Sequence, residues 1–242
     1  MIRNINKLLK KSTLKKPPVP NNQGASQKFE EILSTDFEQN LSIFRSIYQN
    51  CADVVFRSFL LFGQKKAVII YIQGISDIEG MENFVLTPLM QQKPQEHSFH
   101  ILENQLPVSH IEKITRIADC VESIANGNPL LLCEEQAIGY SLSFAKYDKR
   151  AIEEPVAEGS VRGSREGFTE SLEISTSLLR RVIKSPALKM KSIKVGKYTK
   201  TNVIIAYIEG IAEQSLIDEI TSRLNRIEID GILESEYIEE FI

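Results

Sequence analysis

Tryptophan is absent from this 242-residue chain, and histidine and cysteine each occur only three times. The cysteines are odd in number and form no Cys-x-x-Cys pair, which argues against a disulfide framework and favours a reducing compartment. We expect Cys51, Cys120 and Cys133 to be buried structural thiols. His97 and His100 form a His-x-x-His pair, but no further ligand accompanies them, so the sequence predicts no metal site.

Long apolar runs are also missing. A membrane-spanning helix needs about 20 consecutive apolar residues, whereas the longest runs here, "AVIIYI" at 67–72 and "NVIIAYI" at 202–208, have the length of β-strands. No nucleophile-elbow, phosphate-loop or dinucleotide-binding motif occurs. Glu153 and Glu154 are adjacent carboxylates, but neighbouring side chains point in different directions. The sequence therefore predicts no catalytic residue, no cofactor and no enzyme.

Acidic residues are absent from the first 28 positions. These positions carry +7, which leaves −10 for the remainder of a chain whose net charge is −3. The acidic remainder argues against a nucleic-acid-binding protein. Residues 1–30 are predicted to be a basic disordered tail that ends in a stiff "PPVP" spacer. The alternative is a short amphipathic helix within 1–28 that lies on an anionic membrane surface.

One nine-residue pattern occurs twice. "AVIIYIQGI" (67–75) aligns with "VIIAYIEGI" (203–211), and five of the nine positions are identical. The near-continuous apolar character of both copies is typical of central strands. Each copy follows a strand and a Gly-Lys-rich turn, and each lies between helices. The predicted helices are 36–50 and Ser76–Met90 in the first half and 168–184 and Gln214–Arg226 in the second.

Thr35 with Glu38, and Ser76 with Glu79, have the spacing of capping boxes that begin the first two of these helices. The chain then continues through a predicted helix at 109–127, begun near His110, and a hairpin at 129–144 that turns at Glu134–Gln136. No counterpart of that hairpin follows the second repeat. We therefore expect the chain to be a fragment of a longer protein.

The sequence predicts an α/β protein built from two related subdomains. Each subdomain is a helix–strand–turn–strand–helix unit with a small mixed sheet packed by helices. The predicted boundaries are 31–147 for the first subdomain, 148–167 for a charged joint, and 168–242 for the second subdomain.

The charged joint is the candidate site. Three interpretations stay open: a solvated, salt-bridged linker, a surface for a partner or another subunit, and a small-anion site at a helix start. Glu166, Glu170 and Glu173 at the start of the 168–184 helix, and Arg180, Arg181 and Lys184 at its end, complement the helix dipole from within. The candidate surface residues are Lys149, Arg150, Glu153, Glu154, Arg162, Arg165, Glu166 and Glu170.

The second half resembles the A subunits of spore germination nutrient receptors, the GerA family. The resemblance depends on four motifs: "RGSREGFTESL" from Arg162 to Leu172, "RRVIKSPAL" from Arg180 to Leu188, "VG" at 195–196, and "YIEGIA" at 207–212. Ser164 departs from the proline expected at that position. The likeness extends more weakly to about residue 36 and does not include the basic tail.

This resemblance implies a spore inner-membrane receptor whose A subunit has a large N-terminal region on the cytoplasmic, spore-core side, followed by membrane helices. It implies that the second subdomain is truncated before those helices. It implies B and C subunits as partners, and further A subunits are an additional candidate. Two functions are consistent with it. The region acts in receptor assembly and signal transmission, or it binds a small-molecule nutrient in a cleft between the subdomains.

Overall fold

Two β-hairpins of equal strand length organise the fold. The computed structural model describes residues 31–91, 106–146 and 167–242. We call 31–146 the N-terminal half and 167–242 the C-terminal half. In the N-terminal half, β1 (Val54–Leu61) pairs with β2 (Lys65–Ile72); in the C-terminal half, β6 (Leu188–Val195) pairs with β7 (Thr201–Ile208).

The sequence repeat is also a structural repeat. Ile72 opposes the first residue of β1, and its aligned counterpart Ile208 opposes the first residue of β6. Gly74 and Gly210, which follow the two strands, have φ angles of 83° and 82°. Glycine accepts this left-handed conformation without the strain that a Cβ would cause. The same turn therefore leads each hairpin into its next helix.

The sheet of the N-terminal half contains three further strands, β3 (Ile111–Ile114), β4 (Leu130–Cys133) and β5 (Gly139–Leu142). Its five antiparallel strands have the order β1-β2-β4-β5-β3. The predicted hairpin at 129–144 is confirmed as β4 and β5. β2 lies between β1 and β4, and its residues from Ala67 to Ile72 are all buried, as expected for a central strand.

Each face of this sheet packs against helices. Val68, Ile70 and Ile72 contact α1 (Phe37–Ile47) and α4 (Ile117–Ala125) in one core. The intervening residues of β2 point to the other face, toward a helical stretch made of α2 (Ile78–Met81), a π-helical segment (Glu82–Leu86) and α3 (Thr87–Gln91). The π segment comes just before Pro88, whose ring excludes normal packing against the preceding turn.

The C-terminal half is smaller. Its helices are α5 (Leu172–Val182), α6 (Gln214–Asn225) and the short α7 (Glu236–Glu239), and the hairpin packs with α6 and α7. The core consists of Ile193, Val195, Leu224 and Ile232, with partly buried isoleucines and a valine around them. The predicted α/β class is confirmed for both halves. All named strand pairs are antiparallel, so the sheets of the described residues are not the mixed sheets that we expected.

Both predicted capping boxes are displaced by one residue. The carboxylate of Asp36, not Thr35, accepts hydrogen bonds from the backbone N–H groups of Glu38 and Gln39 at 3.0 and 3.1 Å. Asp77 caps α2, whereas the Ser76 hydroxyl donates to the carbonyl oxygen of Gly127 at 2.7 Å. Aspartate competes well with serine and threonine at this position because its oxygens accept from the free helix donors.

The predicted helix at 109–127 is wrong in its first half. Residues 111–114 form β3, which pairs with β5, so His110 precedes a strand and α4 begins only at Ile117. The apolar spacing is helical only from Ile117 to Ile124, where Ile117, Cys120, Val121 and Ile124 are buried. Upstream, pairing with β5 satisfies the backbone and overrides the helical preference of the segment.

The prediction that both repeat strands are central is confirmed for β2, whereas the described residues supply a partner on only one side of β7. Within the described residues, β7 pairs only with β6 in a two-stranded sheet. Its side chains are half-buried or exposed, whereas those of β2 are almost all buried. The aligned sequences therefore occupy different positions in their sheets.

The three cysteines are free and buried, as predicted. Burial raises the pKa of the Cys120 and Cys133 thiols to about 12, from a usual value of 9.0. Below pH 9 the thiols are protonated in both the folded and the unfolded chain. Between pH 9 and 12 only the unfolded chain loses these protons, so stability falls as the pH rises.

We expect each of these two thiols to lower the free energy of unfolding by about 1.4 kcal/mol per pH unit in this range. Urea unfolding at pH 8 to 11 measures the slope. The control is the Cys120→Ala/Cys133→Ala variant, which starts less stable because of its cavities but should have the shallower slope. Equal slopes would contradict the prediction.

Candidate functional site

Seven of the eight candidate surface residues, Lys149, Arg150, Glu153, Glu154, Arg162, Arg165 and Glu166, lie outside the described residues. Glu170 is described and exposed. It comes before Ser171, whose hydroxyl caps α5 by accepting from the N–H of Ile174, so α5 begins four residues later than predicted. Of the described acidic residues expected in its first turn, only Glu173 lies there. The charged surface stays a prediction.

The clearest arrangement of charged groups lies between the two halves. Arg180 is on the buried face of α5, and Asp53 is the residue before β1. The Arg180 guanidinium donates from Nε to Asp53 Oδ2 at 2.6 Å and from Nη2 to Asp53 Oδ1 at 2.9 Å. Its Nη1 donates to the carbonyl oxygen of Ser185 at 3.1 Å. This is a two-pronged, charge-assisted contact.

Both charged residues are removed from water. Arg180 is 2% exposed and Asp53 is 7% exposed. Burial alone would lower the pKa of Arg180, but its hydrogen bonds and charge contact with Asp53 raise that pKa above the usual value. Arg180 thus remains charged inside the protein. Arg180 lies in the last turn of its helix, as predicted, and its side chain also forms a buried ion pair.

Lys189 provides a second contact across the same boundary. It lies on β6 and is 2% exposed. Its ammonium group donates to the carbonyl oxygen of Ile47, at the end of α1, at 2.8 Å, and lies 3.3 Å from a carboxylate oxygen of Glu209. The ammonium group thus donates a hydrogen bond to a carbonyl that the helix end leaves without an intrahelical partner.

The backbone also crosses the boundary. The N–H of Met190 donates to the carbonyl of Asn50, and the N–H of Ala52 donates to the carbonyl of Met190, both at 2.9 Å. These bonds form a short parallel bridge around Cys51, on the edge of β6 that faces away from β7. We call this region, centred on Asp53, Arg180, Lys189 and the Cys51–Met190 bridge, the junction.

A glycine allows α5 to approach the N-terminal half. A Cβ added to Gly74 would lie 3.0 Å from the Cβ of Ser177 and 3.2 Å from the carbonyl oxygen of Glu173. Both contacts are tighter than ordinary van der Waals packing. The turn after β2 therefore lies directly against α5.

Tyr48 leaves one polar group at the junction unsatisfied. Its ring packs edge-on against Phe56, with centroids 6.5 Å apart, and its buried hydroxyl has no hydrogen-bond partner among the described residues. Burial raises the pKa of Tyr48 above its usual value. The thiol of Cys51 is nearby, and burial raises its pKa also, so neither group carries charge near neutral pH.

Two surface grooves are candidate ligand sites. One of about 460 Å³ lies between the β6–β7 turn and the loop after α6, lined by Gly196, Leu224 and Asp230 among others. The other, of about 370 Å³, lies between α1 and β1 and includes Phe37 and Leu60. Each is lined by one half of the protein, so neither is the cleft between subdomains that nutrient binding would need.

Sequence reasoning did not identify the junction. Arg180 was visible on the same helical face as Thr176 and Ser177, four and three residues earlier, and that face is buried. A charged residue on a buried face signals a partner elsewhere in the protein. The sequence did not indicate that the partner is Asp53, because 127 residues separate the two.

The chain matches the family model described as Bacillus/Clostridium GerA spore germination protein over residues 42–242. The chain therefore belongs to the GerA family, which confirms the resemblance of the motifs. The crystal structure of the N-terminal domain of the A subunit of the Bacillus megaterium spore germinant receptor GerK3 is similar, with a TM-score of 0.66 and 29% identity. That match covers 87% of this chain and 79% of that one.

Two similar curated proteins come from Bacillus subtilis (strain 168). Uncharacterized membrane protein YfkQ is 38% identical over 212 residues, covering 87% of this chain and 41% of the relative. Spore germination protein KA is 31% identical over 216 residues, covering 87% of this chain and 40% of the relative. The chain thus spans about two fifths of the length of these relatives.

Neither a membrane-spanning helix nor a cluster of metal ligands occurs among the described residues. None of their helices is both long enough and apolar enough to cross a membrane. In the same residues, no group of three or more histidine, cysteine or acidic side chains is placed to hold a metal ion.

Proposed function

We propose that this chain is the N-terminal region of a germinant-receptor A subunit and that it acts in receptor assembly and signal transmission rather than in catalysis. Family membership and the likeness to the GerK3 A-subunit domain support the first part. B and C subunits, and further A subunits, are the proposed partners. The proposed location is the cytoplasmic side of the spore inner membrane.

The junction is the observation that carries the transmission role. A two-pronged ion pair, a buried lysine and a backbone bridge join α5 and β6 to the segment between α1 and β1. A displacement of one half would have to break these contacts or move the other half with it. The proposed subdomains, 31–147 and 168–242, would therefore pass a movement from one to the other through the junction.

Nutrient binding between the halves is the second candidate, and the Tyr48 hydroxyl is the observation that favours it. This buried hydroxyl would donate a hydrogen bond to a water molecule or to a small polar ligand. Neither of the two grooves described above lies between the halves. We therefore place assembly and transmission first.

A germination assay tests the first candidate. Spores would carry the complete protein with Arg180→Met, with Asp53→Leu/Arg180→Met, or with Lys66→Met as an exposed-cation control. We expect the first variant to reduce the response to amino acids and sugars, the second to recover it in part, and the control to respond normally. The fall in optical density of the spore suspension gives the rate, and immunoblotting gives the receptor amount.

Two results would count against transmission. The first is a normal response by Arg180→Met spores that contain a normal amount of receptor. The second comes from a melting-temperature scan of the purified chain against amino acids, sugars and inorganic anions. A saturable rise with one nutrient would place the binding function first, because a ligand that binds the folded state raises its melting temperature.

A further inference from the structure

The outer edge of β7 is the side of that strand that faces away from β6. Among residues 31–91, 106–146 and 167–242, no strand pairs with it. The aligned strand β2 has a partner on the corresponding side, because Ala67–Ile70 pair with β4. The two hairpins therefore match in register but differ in what covers this edge.

The directions of the backbone N–H groups show which donors lie on the outer edge of β7. The N–H of Glu209 donates to Ala187 at 2.8 Å, as the N–H of its counterpart Gln73 donates to Asp53 at 2.9 Å. Because N–H groups alternate in direction along a strand, those of Ile204 and Ala206 point away from β6. Their counterparts in β2, Val68 and Ile70, are paired with Leu132 and Leu130.

The composition of β7 is unsuited to an exposed edge. Natural edge strands carry charged residues, proline or bulges that prevent pairing with other strands. The edge strands of the five-stranded sheet follow this rule: β1 contains Arg57, and β3 contains Glu112 and Lys113. The sequence of β7, "TNVIIAYI", contains no charge and no proline, and its pairing with β6 is continuous.

We propose that the outer edge of β7 accepts a further strand, which is apolar, antiparallel and at least four residues long, like β4. The strand comes from the same polypeptide. Two observations favour this source: the relatives are more than twice as long as the region matched here, and the alignment of Ile72 with Ile208 places the counterpart of β4 after residue 242.

The added strand also supplies what a two-stranded sheet lacks. An isolated hairpin is marginally stable in water, and three or more strands with an apolar face are needed for independent stability. The hydrophobic core cluster of the C-terminal half contains four buried residues among those described, whereas each of the two clusters of the N-terminal half contains more than ten. A third strand would pair with the backbone of the half-buried Ile204 and the exposed Ala206, as β4 pairs with the backbone of Val68 and Ile70 in the first sheet.

Hydrogen exchange tests the proposal. Exchange of the Ile204 and Ala206 amides is measured in the 242-residue chain and in the complete polypeptide in detergent, without other receptor subunits. We expect both amides to exchange on the order of 100-fold more slowly in the complete polypeptide. The Val68 and Ile70 amides, already covered by β4, are the internal control and should be slow in both samples.

The other outcomes overturn the proposal. Equal, fast exchange in both samples would show that the edge is open in the complete polypeptide. Slow exchange in the 242-residue chain that speeds up on dilution would identify a second copy as the occupant, and slow exchange independent of concentration would show that the chain covers its own edge. Protection that appears only when other subunits are added would assign the strand to one of them.

Discussion

Replacement of Arg180 by methionine is expected to lower the free energy of unfolding by about 3–5 kcal/mol. The substitution keeps an apolar side chain of similar length on α5 and leaves the carboxylate of Asp53 buried without its cation. The cost comes mainly from this uncompensated charge, since Asp53 is 7% exposed. Urea unfolding of the purified chain, followed by far-ultraviolet circular dichroism, measures the loss.

Lys66→Met is the matched control for this prediction. Lys66 lies 3.2 Å from a carboxylate oxygen of Glu38, but both side chains are more than half exposed. Exposed ion pairs contribute about 0–1 kcal/mol, so the control should remain within that range of the wild type. A loss of about 1 kcal/mol or less for Arg180→Met would show that water reaches Asp53 and that the junction is not closed.

Gly74→Ala is expected to lower the free energy of unfolding by about 2–3 kcal/mol. Of this loss, about 1–2 kcal/mol comes from placing a Cβ in the left-handed conformation, with φ at 83°. The remainder comes from the new contact with α5, where the Cβ would be 3.0 Å from Ser177 Cβ and 3.2 Å from the Glu173 carbonyl oxygen. Either α5 or the turn after β2 would have to move.

Gly63→Ala separates the two contributions. Gly63 also has a positive φ, 70°, but no atom lies within 4 Å of its added Cβ. This variant should lose only the conformational part, about 1–2 kcal/mol. Equal losses at Gly63 and Gly74 would indicate that α5 is not held against the N-terminal half.

The sequence was sufficient for the repeated part of the fold. The apolar pattern of 67–75 and 203–211, with glycine at the same place in each, predicted two equivalent hairpins, and the structure confirms them. These features depend on neighbouring residues and on the alternation of side chains along a strand. They are therefore accessible without knowledge of the tertiary fold.

The errors arose where distant contacts decide the local structure. Residues 111–114 become a strand because β5 pairs with them, and β7, unlike β2, has a partner on only one side within the described residues. The sequences of 67–72 and 203–208 are alike, so no local pattern could distinguish a central strand from an edge strand. Asp36 and Asp77 replaced the predicted caps because adjacent polar residues compete for the same helix donors.

The candidate site shows the same division. The motifs from Arg162 to Leu188 identified the family, which the comparison confirms. The charged surface at 149–170 stays a prediction, since Glu170 alone of its residues is described. The junction required the structure, because its charged residues come from segments that are far apart in sequence and become neighbours only when α5 packs beside β1.

The most direct test of a closed junction is a double-mutant cycle between Asp53 and Arg180. Urea unfolding would be measured for the wild type, Asp53→Leu, Arg180→Met and the double variant. The predicted coupling energy is about 3 kcal/mol, with the double variant more stable than either single variant, because it buries no unpaired charge. Losses that add to within about 0.5 kcal/mol would contradict the account, since the two residues would then not act as a buried pair that joins the halves.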